Sequence, residues 1–106
     1  MSSTASDSGK DIVLVVDDDS DICVALEMLL EYEGFTVWTA KNGRMALARL
    51  EAEAERGKRP VAIFSDVKMP GMDGMNFLEE VQSREDPPPV LMISGHGDIE
   101  TAVEAV

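Results

Sequence analysis

The residues best suited to chemistry are aspartates that follow apolar runs. Ile12-Val13-Leu14-Val15-Val16 ends in Asp17, Asp18 and Asp19, and Val61-Ala62-Ile63-Phe64-Ser65 ends in Asp66. Two hydrophobic strands that each deliver carboxylates at their C-terminal ends point to one acidic pocket at the edge of a parallel sheet, where open α/β sheets bind ligands. Like charges held close resist ionising together, so such a pocket calls for a divalent cation. Pro70-Gly71 and Asp73-Gly74 fix a loop after Asp66, which can hold the Lys68 backbone carbonyl beside the carboxylates. A hard cation such as Mg²⁺ accepts that carbonyl, one or two carboxylates, waters and a phosphate oxygen. Ser94 ends a further apolar run, Val90 to Ile93, on the same edge, and its hydroxyl can donate to a phosphate oxygen.

Plainer readings stand beside these. Asp19 or Ser20 can cap a helix, and solvated acids suit the positive end of a helix. A calcium loop beginning at Asp17 fails, because it wants Gly at position 22 and Glu at position 28, where this chain has Ile22 and Met28. An aspartate after a strand can also cap a turn. His96 lies between glycines and suits an exposed loop; Met69, Met72 and Met75 are gap-fillers.

These residues need elements to hold them. Ile12 to Val16 reads as a strand buried on both faces. Ile22, Ala25, Leu26, Leu29 and Leu30 follow a 3.6 period, and Gly34 ends that helix. Thr36 to Ala40 is a second strand. Ala46, Leu47, Leu50 and Ala54 mark a second helix, closed by Gly57 and Pro60. Val61 to Ser65 is a third strand. Phe77, Leu78 and Val81 mark a third helix, which Pro87, Pro88 and Pro89 cannot continue. Val90 to Ile93 is a fourth strand, and Asp98 can cap a fourth helix starting at Ile99. Strand and helix alternate, the pattern of an α/β fold with a parallel sheet and helices on both faces.

Composition narrows the function. The chain has 106 residues, with 9 basic and 21 acidic side chains and a net charge of −12. One domain is expected: residues 1–10 as a flexible Ser-rich tail, 11–106 as the folded unit. A chain this acidic is repelled by nucleic acid and by anionic membranes, so direct binding to either is not expected. Cys23 is the one cysteine, which rules out an intrachain disulfide and suits a reducing compartment. No apolar run approaches the roughly 20 residues that span a bilayer.

The segments Val15-Val16-Asp17-Asp18, Asp66 through Gly74 and Met92-Ile93-Ser94-Gly95, in this order and spacing, resemble the receiver domain of two-component response regulators. The stretch from Ile93 to Val103 further resembles receivers of σ54-dependent AAA+ transcription activators. The resemblance implies a flavodoxin-like, doubly wound sheet of order 2-1-3-4 and a cytoplasmic signalling protein, not an enzyme in the ordinary sense. It implies that Asp66 accepts a phosphoryl group from a sensor histidine kinase or phosphotransfer protein. Asp17, Asp18, Asp66 and the Lys68 carbonyl would hold Mg²⁺ (or Mn²⁺), and Ser94 would be the switch hydroxyl that reports the phosphoryl group to an output domain outside this chain. The family's fifth strand, with its lysine, and its fifth helix have no counterpart here, so the domain is expected to be incomplete at its C-terminus. Its fourth strand would then be an exposed edge, and edges of that kind invite self-association. Two other readings stay open: a truncated, non-catalytic interaction module, and an aspartyl phosphatase resembling the haloacid dehalogenase superfamily, with Asp17 as nucleophile and Asp19 as acid/base. The latter leaves Asp66 to Gly74 unexplained and meets Asp21 where that family has Thr or Val.

Overall fold

A computed structural model describes residues 10–66, 74–93 and 99–100. Strand β1 is Ile12–Val16, helix α1 Ser20–Tyr32, strand β2 Thr36–Ala40, helix α2 Gly43–Ala54, strand β3 Ala62–Asp66, helix α3 Gly74–Gln82 and strand β4 Val90–Ile93. These strands are parallel in the order β2-β1-β3-β4, as expected.

Each helix starts and stops for a local reason. The Asp19 carboxylate caps α1, accepting from the Asp21 and Ile22 N–H groups at 2.9 and 3.4 Å. Gly34 leaves α1 with φ +102°, a left-handed conformation that glycine adopts without a Cβ clash. Asn42 caps α2 by accepting from the Met45 N–H at 2.8 Å.

Alternation along the strands then sorts side chains between two faces. One face carries Leu14, Val16, Trp38, Ala40, Ile63, Val90 and Met92, and it packs with Ala46 and Leu50 of α2 and Phe77, Leu78 and Val81 of α3. The Arg49 guanidinium roofs this core, 4.7 Å from the Trp38 ring centroid. The other face carries Val13, Val15, Phe64, Leu91 and Ile93, with α1 lying over β1 and β2.

The edge beyond β4 corrects the sequence reading. Where a helix is expected to start, Ile99–Glu100 forms a fifth strand, β5, pairing antiparallel with β4 through Ile93 and Met92. The unpaired N–H and C=O groups of an edge strand are a template for pairing. A helix of one or two turns gains little by itself, so pairing wins at these two residues. The β4 edge is therefore covered at Met92 and Ile93, not open along its whole length as expected.

Candidate functional site

Sheet register builds the site. β1 and β3 are adjacent and parallel, with Val16 opposite Ser65. The next residue of each strand is an aspartate, so Asp17 and Asp66 emerge side by side although far apart in sequence. Asp17, Asp18 and Asp66 each offer a carboxylate oxygen, and these oxygens lie within 4.8 Å of one another. Asp17 is 4% and Asp66 8% exposed, whereas Asp18 faces solvent.

The backbone around them is tied down. The Asp17 N–H donates to the Ala40 carbonyl at 3.0 Å, extending the β1–β2 ladder by one bond. The Asp17 carboxylate accepts from the Asp19 N–H at 2.9 Å, a local turn that aspartates favour. The fully buried Ser65 hydroxyl donates to the Asp66 carbonyl at 3.1 Å.

The acidic triplet thus divides its labour. Asp17 and Asp18 join Asp66, while Asp19 turns away to cap α1. That division counts against the phosphatase reading, which needs Asp17 and Asp19 to act together.

Burial pushes the Asp17 carboxyl above the ordinary aspartate value, and the charges of Asp66, Asp18 and Asp19 add to the rise, against the opposing pull of the Asp19 N–H bond. A cluster of hard carboxylate oxygens this close together suits a divalent cation, whose positive charge offsets theirs. The donor set fits Mg²⁺ or Mn²⁺ better than a thiolate-seeking metal.

Cys23, not singled out for the site from sequence, sits against it: its thiol donates to the Asp17 carbonyl, with Sγ 3.3 Å from the oxygen. Burial and the Asp17 charge push the thiol pKa up, which disfavours the nucleophilic thiolate. Of the expected site residues, Lys68 and Ser94 lie outside the described residues, as do Met69, Met72 and His96. Among the described residues, no helix is long and apolar enough to cross a membrane.

A family model for the response regulator receiver domain matches residues 13–106. The DNA-binding transcriptional regulator NtrC of Salmonella typhimurium is 42% identical over 94 residues, covering 89% of this chain and 19% of that protein. The nitrogen assimilation regulatory protein NtrX of Azorhizobium caulinodans is 41% identical over 96 residues, covering 89% of this chain and 20% of that protein. The chain spans about a fifth of the length of these curated relatives. A solved response regulator receiver domain protein from Clostridium thermocellum is similar at a TM-score of 0.69 and 32% identity, over 83% of this chain and 68% of that one.

Proposed function

This chain belongs to the response regulator receiver family, and from that premise we propose that it is a phosphoacceptor with Asp66 as the residue that takes the phosphoryl group. The observation that supports this most is the meeting of Asp17, Asp18 and Asp66 at the C-terminal edge of β1 and β3.

In the proposed reaction an Asp66 carboxylate oxygen attacks the phosphorus of a phosphohistidine on a partner kinase or phosphotransfer protein. The new O–P bond makes an acyl phosphate, the N–P bond breaks, and the imidazole leaves with the electron pair and takes up a proton. Phosphoryl transfer asks for alignment and charge neutralisation more than for covalent work by the protein. Asp66 is held for alignment by the β1–β3 register. Asp17 and Asp18 are the residues that would hold Mg²⁺, with the Lys68 carbonyl as a further ligand. A bound divalent cation supplies the positive charge that offsets the phosphoryl oxygens and the clustered carboxylates. Ser94 is the hydroxyl expected to donate a hydrogen bond to a phosphoryl oxygen and bias a nearby two-state element. The output, a transcription domain by analogy with the named relatives, lies outside this chain.

Intact-protein mass after incubation with Mg²⁺ and acetyl phosphate tests the reading. One added phosphoryl group is expected on the wild type, and none on Asp66→Asn or in the presence of a chelator. A folded, Mg²⁺-binding wild type that gains no mass would refute the proposal.

A further inference from the structure

Lys58, Arg59 and Arg84 line one cleft of about 320 Å³, in a chain that has only 9 cationic residues against 21 acidic ones. Pro60 and Pro88 in its wall lie just before β3 and β4, so the cleft opens at the N-terminal edge of the sheet. Asp66 lies at the other end of β3, about 20 Å away at the rise of an extended strand.

The hydrogen-bonding account of this cleft is incomplete. Arg84 Nη2 donates to a Glu51 carboxylate oxygen at 3.1 Å. Its Nε is buried and has no hydrogen-bond partner among the described residues. A guanidinium presents Nε and Nη as a fork matched to two oxygens of one oxyanion, and here half of that fork is unused. Arg59 meets Asp86 at 3.5 Å, with side chains 60% and 88% exposed, a pair that solvent screens and a ligand can displace. Lys58 has no ion-pair partner among the described residues.

The walls are stiff. Pro60, Pro87 and Pro88 restrict the backbone, and Asp86 holds φ +56°, a left-handed conformation that aspartate tolerates better than most residues. Cations placed after helices α2 and α3 also suit the negative helix ends. That role explains their charge, but it explains neither the unused Nε nor a concave wall of Leu50 and prolines.

We propose that this cleft is a second binding site, which takes a small organic anion with its oxyanion head on Arg84, Lys58 and Arg59 and its apolar body against Leu50, Pro60 and Pro88. The volume is at the lower end of small-ligand pockets. Glu85 and Asp86, which share the lining, select against heavily charged anions.

The test is an NMR titration of the full chain with phenyl phosphate and, separately, with benzoate, at constant ionic strength and without divalent cations. Saturable shifts are expected at the Arg84 Nε–H and at the Lys58 and Arg59 amides, with Asp17 and Asp18 unmoved. The tighter of the two probes identifies a phosphate or a carboxylate head. Arg84→Lys keeps the charge but loses the fork and should weaken binding about tenfold or more. The double variant Lys58→Glu, Arg59→Glu reverses two exposed charges, breaks the exposed Arg59–Asp86 pair and should abolish saturation. Shifts that sodium chloride reproduces at equal ionic strength, or that persist in the double variant, would overturn the proposal.

Discussion

The two faces of the sheet start from similar strand residues and end in different states. Beneath α2 and α3, the side chains of Leu14, Ile63, Phe77, Val81 and Val90 are at most 1% exposed. On the opposite face Val13 and Val15 are equally well buried, but Phe64, Leu91 and Ile93 are only half-buried. α1, which lies on that face, has no buried residue and leaves Val24, Met28, Leu29 and Tyr32 at 51%, 65%, 57% and 87% exposure. The lesson is that an apolar period states where a helix can form and which stripe wants cover. Whether the stripe gets cover depends on a second layer across from it. α2 has α3 beside it over the same sheet face; among the described residues α1 has no helical neighbour there.

The largest expected effect breaks the well-packed side. Phe77→Ala should cost about 3–5 kcal/mol in urea denaturation, since it empties a fully buried site. Leu29→Ala on α1 should stay within about 0.5 kcal/mol. Equal costs for the two would erase the distinction between the faces.

The acidic pocket, at the seam of β1 and β3, gives the next effect. Mg²⁺ at about a hundredfold over its dissociation constant should stabilise the wild type by about 2.7 kcal/mol, and neither Asp17→Asn nor Asp66→Asn should show that gain in thermal melts. Without Mg²⁺, Asp17 acts in the other direction. Its pKa in the fold lies above the ordinary value, so the folded state keeps its proton longer than the unfolded state. Stability from this group is therefore present at low pH and is lost as pH rises from the ordinary aspartate range through the raised value. Asp17→Asn, which can still accept the Asp19 N–H bond, should flatten that part of the profile and stabilise the metal-free protein at neutral pH. Mg²⁺ affinity should rise across the same pH range, because a ligating carboxylate must be ionised.

Smaller effects sharpen the contrast at α1. With little burial to support it, this helix leans on its caps, and Asp19→Ala should cost about 1 kcal/mol and raise hydrogen exchange along Ser20–Tyr32. Met28→Glu should change stability by less than about 0.5 kcal/mol. It should, however, remove any concentration dependence from the sedimentation of the wild type, if two copies bury the α1 stripe against each other. Persistence of that dependence in Met28→Glu would move self-association away from the α1 stripe.

Much of this was legible in the chain because the signals are local. The run Ile12 to Val16 predicts β1 to the residue, Asp19 and Gly34 bracket α1, and Pro87 to Pro89 separate α3 from β4. β3 begins and ends one residue later than read, at Ala62–Asp66, so Asp66 belongs to the strand it was expected to follow. Ile99 opens a strand and not the expected helix because periodicity over so few residues does not distinguish the two, and the free edge of β4 decides between them. The cleft at Lys58, Arg59 and Arg84 had no motif, since its members come from two separate loops.

By itself the amino-acid sequence determined which segments form helices and strands up to Ile93, which aspartates end the strands and which family the motifs resemble. Those are matters of backbone preference, capping and short-range spacing. Only the tertiary structure decided that Val16 stands opposite Ser65, and hence that Asp17, Asp18 and Asp66 share one pocket while Asp19 does not. It alone decided that, among the described residues, one sheet face is sealed and the other partly open. Register and cover are properties of partners distant in sequence, and their energies exist only once the chain has brought those partners together.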